Sequence, residues 1–156
     1  GLGPLLRAIA MGSPSACLLI AGNGRQTPYV RMAKQLGVGE RVAFLGSRFP
    51  VSELFAVSTL LCHPTWYDPC SRVVLEALQF GIPVVTTKWN GAAECIRDGI
   101  DGAVISDPDS ISELTAAIRA ASRMDPGRLS RSDDLTMARH ARELIALYSR
   151  GSKRTV

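Results

Sequence analysis

Asp68 and Glu76, eight positions apart, bracket the stretch of this 156-residue chain best supplied for chemistry: HPTWYDPCSRVVLE, residues 63–76. Carboxylates accept hydrogen bonds from the hydroxyls of a ribose or a sugar, whereas phosphate oxygens need donors. Ser71 reads as the cap of a helix carrying Val73 to Leu78, so free backbone N–H groups near Ser71 to Val73, aided by the helix dipole, suit phosphate. From the cap to Glu76 the helix rises ~7 Å, enough for its start and Glu76 to touch different parts of one elongated ligand. Spacing alone fits an ordinary capped, solvated helix equally. Glu76 stands between Leu75 and Ala77, however, and a buried carboxylate there requires a partner.

The elements that must hold these residues follow a parallel α/β pattern. Five apolar runs predict strands at 17–21, 42–45, 60–63, 83–86 and 103–105. Helices are expected at 5–10, 28–36, 52–57, 71–80, 92–97 and 110–122, with Ser52 and Ser71 as candidate caps, Asp109, Ser110 or Ser112 as the opener of the sixth, and Gly37 and Gly81 as left-handed stops. A last amphipathic segment, 135–148, follows the turn Asp125-Pro126-Gly127. In such sheets ligands gather at the carboxyl ends of the strands. Those ends carry Gly22-Asn23-Gly24-Arg25, Gly46-Ser47-Arg48, the 63–72 loop and Thr86 through Gly91. Gly22 and Gly24 would let the backbone turn tightly beside a ligand, although Gly is also ordinary turn chemistry.

Composition narrows the classes. With 46% hydrophobic and 21% charged residues the chain must fold around a core rather than stay disordered. Its formal charge of +4 comes largely from the region after Arg119, which reads as a solvated helix face and a basic tail over 151–156. No nucleic-acid recognition motif accompanies it. Cys17, Cys62, Cys70 and Cys95 form no C-x-x-C pair, so no metal site is expected and a reduced, cytoplasmic setting fits. No apolar run approaches the ~20 residues of a membrane span, and the start, GLGPLLRAIAMGSPSA, reads as a structural helix rather than a signal peptide.

The 68–77 stretch, with Gly81-Ile82-Pro83-Val84-Val85 after it, resembles the C-terminal domain of the group 1 retaining glycosyltransferases of GT-B architecture. The resemblance extends to Leu19 through Gly24, Arg41 through Gly46, Gly91 through Glu94 with Gly102, and the closing helix, some 140 residues in all. It implies a Rossmann-like parallel sheet with helices on both faces as a nucleotide-sugar-binding domain over 1–150. Within it Glu76 would hold ribose hydroxyls, Asp68 the donor sugar, and the backbone at Ser71 and Arg72 the diphosphate. Gly22 and Gly24 would lie beside the ligand, and Ser47 and Arg48 would face the base.

The implied activity is transfer of a hexose from a nucleotide-diphosphate sugar to a sugar or lipid-linked acceptor, in cell-envelope glycan or polysaccharide synthesis. No cofactor or metal is implied, and peripheral contact with the inner face of the membrane stays open for the full protein. Departures are Asp68 for the usual Glu, Ser71 for Gly, Arg72 for an apolar residue, and His63 and Thr65 at the strand end. His63 as a catalytic base carries little weight, because the family's catalytic His comes from the other domain. Trp66 and Trp89 fit ligand stacking and plain packing equally.

The N-terminal acceptor domain, and a strand ending in Gly-Arg with a Lys after it, are absent from this sequence. The sheet is therefore expected to lack its first strand, between those ending at Ala21 and His63, and the chain to bind nucleotide weakly without transferring sugar. A nucleotide-sugar epimerase of the same architecture and a non-catalytic nucleotide-binding module are the rival readings.

Overall fold

Leu5, Leu6 and Ile9 lie on the first helix, and the fold is assembled around them. A computed structural model describes residues 1–12, 15–124 and 136–151. The expected turn at 125–127, the start of the last segment at Leu135 and the tail from 152 onward lie outside the described residues. In chain order the elements are α1 (Leu2–Gly12), β1 (Leu18–Ala21), α2 (Thr27–Gln35), β2 (Val42–Gly46), α3 (Val51–Val57), β3 (Leu61–His63), α4 (Arg72–Gln79), β4 (Val84–Thr87), β5 (Gly102–Ile105), α5 (Ile111–Ala121) and α6 (Met137–Gly151). Short 3-10 turns cover Gly39–Arg41 and Gly91–Cys95.

All strand pairs are parallel, and they form two sheets rather than one: β1-β2 and β3-β4-β5. Among the described residues β1 and β3 each have one partner strand, and it is between these two that the resemblance expects a further strand. Alternation along the three-stranded sheet sends Leu61, Val84 and Val104 toward α3 and α4, into a core with Phe55, Val74, Ala77 and Leu78. Cys62, Val85, Ala103 and Ile105 point the other way, onto α1 and α5. Leu6 meanwhile packs with Ala33 and Val38 over Leu18 and Val42 of the smaller sheet. Thus α1 runs beneath both sheets, and Leu18 touches the cores on either side.

Several element ends have local causes. Gly37 and Gly81 adopt φ of 71° and 72° as helix stops, and the Ser110 hydroxyl accepts from the Glu113 N–H. Ser52 does not cap: Pro50, with φ preset at −58°, occupies the N-cap and starts α3 one residue earlier than Ser52. Ser71 is the N-cap of α4 but its side chain makes no capping bond. The helix expected at 92–97 is only a 3-10 turn ending at Cys95, because Ile96 is extended and Arg97 is drawn into a turn by buried Asp101. α6 is exposed along its length, with Arg139 paired to Glu143 at 2.8 Å. Among the described residues no helix is long and apolar enough to cross a membrane.

Candidate functional site

The eight residues singled out in the sequence fall into two groups, one at the carboxyl end of each sheet. Asp68, Ser71, Arg72 and Glu76 belong to β3, its following loop and α4. Asp68 is stitched to the loop after β4, its N–H donating to the Trp89 carbonyl at 3.1 Å and its own carbonyl accepting from the Gly91 N–H at 2.9 Å. This approach demands Gly at 91, since a Cβ there would fall on the Pro69 carbonyl oxygen. The Asp68 carboxylate is held on both oxygens, by the Cys70 N–H at 3.1 Å and by His63 Nε2 at 3.3 Å.

Asn90 governs the start of α4. It is 1% exposed; its Oδ1 accepts from the Ser71 N–H at 3.2 Å and the Ala92 N–H at 3.0 Å, while its Nδ2 donates to the Thr86 hydroxyl at 3.0 Å. The Ser71 N–H is therefore already occupied, and the Cys70 N–H is turned to Asp68. The N–H groups of Arg72, Val73 and Val74 are left as the donors of the α4 first turn with no acceptor among the described residues. Arg72 is exposed and stands 3.7 Å from Glu76 across one turn, in a pair too solvated to fix either side chain. Glu76 is not buried, its side chain being 42% exposed. Nothing in the sequence near Ser71 could announce Asn90, whose partner lies 19 residues away, although Asn before Gly-Ala-Ala-Glu is an N-cap signal for the 3-10 turn.

Gly22, Gly24, Ser47 and Arg48 form the second group. The Gly22 N–H donates to the Gly46 carbonyl at 2.8 Å, joining the ends of β1 and β2 beside a register shift at Ala21. Gly22 has a φ of 136°, which favours glycine; Gly24 has no positive φ. A groove of about 160 Å³ opens here, lined by Leu2, Gly22, Gly24, Arg25, Tyr29 and Phe44 among others. Ser47 and Arg48 are exposed beyond its lining.

Around the first group lie three exposed aromatics, Trp66, Tyr67 and Trp89. Trp66 Nε1 donates to Asp109 at 3.2 Å, and the Lys88 ammonium sits 4.9 Å over the Trp89 ring. Thr87 holds the same loop by donating to the Thr65 carbonyl at 2.6 Å. Burial pushes the Cys62 thiol up to about 12, so it stays protonated beneath the loop, although part of the residue remains accessible. No group of three His, Cys, Asp or Glu side chains able to hold a metal ion occurs among the described residues. The arrangement offers carboxylates for hydroxyls beside main-chain donors for phosphate.

Comparison with known proteins agrees in family. A family model described as glycosyl transferases group 1 matches residues 1–123. The lipopolysaccharide glucosyltransferase WaaG of Escherichia coli (strain K12) is 36% identical over 132 residues, which cover 85% of this chain and 34% of that protein. The D-inositol 3-phosphate glycosyltransferase of Mycobacterium marinum is 31% identical over 148 residues, 94% of this chain and 30% of that one. A crystal structure of WaaG matches with a TM-score of 0.74 at 32% identity, over 86% of this chain and 38% of that chain. A crystal structure of Anabaena Alr3699/HepE in complex with UDP-glucose matches with a TM-score of 0.64 at 26% identity, over 84% and 43%. The chain spans about a third of the length of the curated relatives it matches.

Proposed function

The chain belongs to the group 1 glycosyl transferases, a family of GT-B fold, and we propose that it is the donor-binding half of a retaining member, taking a hexose from a nucleotide-diphosphate sugar. The observation that carries this reading is the α4 N-terminus, where three unclaimed N–H groups lie between a pinned carboxylate at Asp68 and a second at Glu76. A diphosphate would meet the N–H groups of Arg72 to Val74, with Ser71 shaping the turn through its link to Asn90. Arg72 adds a mobile positive charge. Glu76 would take the ribose hydroxyls and Asp68 hydroxyls of the sugar, while the groove at Gly22 and Gly24, with Ser47 and Arg48 nearby, would receive the base. That Alr3699/HepE is seen with UDP-glucose supports a nucleotide sugar as the ligand class.

The same groups explain how such a site would serve transfer. As the glycosidic bond to the diphosphate lengthens, positive charge grows on the sugar and negative charge on the leaving oxygens. Main-chain donors and a helix dipole aimed at those oxygens bind them more tightly in the transition state than before it. The reading invokes no metal or cofactor. The acceptor, a sugar or lipid-linked sugar, would be bound by an N-terminal domain outside the described residues. A role in cell-envelope glycan synthesis is favoured by the likeness to the lipopolysaccharide glucosyltransferase WaaG.

Calorimetric titration with UDP, GDP, ADP and their sugar conjugates tests the assignment. One base should be preferred. Glu76→Ala should weaken both the diphosphate and its sugar conjugate by about ten-fold or more, as loss of a hydrogen bond to a charged group does. Asp68→Ala should weaken only the conjugate. Failure of every nucleotide to bind would remove the donor-site reading.

A further inference from the structure

His63 has no part in the donor contacts above, yet its side chain is fixed at the edge of them. It ends β3, in register with Thr86, whose hydroxyl donates to the His63 carbonyl at 2.8 Å. Its Nε2 lies 3.3 Å from Asp68 Oδ2, and the two side chains are 35% and 27% exposed. An ionised carboxylate can only accept, so the ring must carry its proton on Nε2 and donate it. The Cys70 N–H fixes the other oxygen at 3.1 Å. With one bond made at each oxygen, the carboxylate plane is set, and each oxygen keeps capacity for one further donor.

We propose that His63 is a positioning residue for the donor sugar: it orients Asp68 so that the two carboxylate oxygens accept from two adjacent hydroxyls of the hexose, and does not itself touch the sugar. The proposal rests on the reading of Asp68 as the sugar-facing acid and adds to it a cause for its orientation. A carboxylate free to rotate about its side chain must lose that freedom on binding, whereas one held at both oxygens has lost it already. Holding the loop is a separate matter. The Asp68 N–H to Trp89, the Gly91 N–H to Asp68 and the Thr87 hydroxyl to Thr65 secure the backbone without His63. Removing the imidazole should therefore leave the carboxylate held by the Cys70 N–H alone, one oxygen unpinned, and the loop in place.

The test compares each diphosphate with its sugar conjugate, using the pairs UDP and UDP-glucose, GDP and GDP-mannose, ADP and ADP-glucose on the 156-residue chain. His63→Leu should lower affinity for the preferred conjugate by up to about ten-fold, the effect of having to order one side chain on binding, and leave the bare diphosphate unchanged. His63→Gln, which restores an N–H donor, should recover most of the loss. In an Asp68→Asn background, His63→Leu should cost nothing more.

Equal weakening of diphosphate and conjugate by His63→Leu, or no weakening of either, overturns the proposal. If Asp68→Asn removes the preference for the conjugate while His63→Leu does not, the donor site stands and the positioning role alone falls. Nitrogen-15 shifts of the His63 ring supply a readout that needs no ligand: a ring carrying a proton on Nε2 agrees with the proposal, and one protonated on Nδ1 alone overturns it even where the nucleotide sugar binds.

Discussion

Asn90 is the residue on which most of the site's backbone depends. Its amide bonds the Ser71 N–H at the start of α4, the Ala92 N–H in the 3-10 turn after β4 and the Thr86 hydroxyl, all three on buried residues. Asn90→Ala would leave two buried N–H groups and one hydroxyl without that partner. A buried group stripped of its partner costs about 1–3 kcal/mol, so a loss of about 3 kcal/mol or more in urea-denaturation stability is expected. A loss near 1 kcal/mol, the usual effect of removing one helix cap, would mean that Asn90 serves the 3-10 turn alone. Of the N–H groups that the sequence offers to phosphate, those near Ser71 to Val73, Asn90 takes that of Ser71, while Asp68 takes that of Cys70 just before them. The structure moves the available donors one residue along, to Arg72 through Val74.

Where an element's ends are set by neighbours in the chain, they are legible in sequence; where a distant residue sets them, they are not. Ser110 caps α5 through the Glu113 N–H, one of the three local openers, Asp109, Ser110 and Ser112, that the sequence offers there. Ser52 looks equally suitable, but Pro50 two positions earlier already sets the helical entry. The parallel strands follow from their apolar runs within a residue or so, and the candidate acids emerge from Asp68 and Glu76 with the family pattern. The pinning of Asp68 by His63 and by the loop at Gly91 depends on strand register, which no local spacing encodes. At the α5 start the Glu113 carboxylate also receives the N–H groups of Ser106 and Asp107. The Ser106 N–H is the main reason its pKa lies below the ordinary glutamate value. Because the folded value is depressed, the contribution to stability is present above the unfolded pKa of about 4.3 and is lost as pH falls through the folded value. Glu113→Gln should accordingly lower Tm at pH 7 and lower it by less at pH 3. An equal drop at both pH values in thermal melts would show that packing, not charge, accounts for the residue.

At the scale of the whole molecule, the two sheets share no strand-to-strand hydrogen bond among the described residues and meet through α1. They are not equally secured. β4 is buried at every residue and bonded on both sides, while β1 has one partner strand and leaves Leu19 40% exposed. Fewer buried contacts and an open edge lower the free energy of local opening. Amides of β1 and β2 should therefore exchange with solvent about a hundredfold faster than those of β4, a difference within the usual span between labile and core units. The distinction bears on function, because Gly22, Gly24, Ser47 and Arg48 stand on the labile sheet, whereas Asp68, Ser71, Arg72 and Glu76 stand on the firm one. A nucleotide sugar reaching across both would bind the closed arrangement and not the locally opened one, and so slow exchange in β1 and β2 by mass action. If saturating UDP-glucose protected β3 and α4 but left β1 and β2 exchanging at their original rate, the base would not be held at Gly22 and Gly24, and the donor would rest on the larger sheet alone.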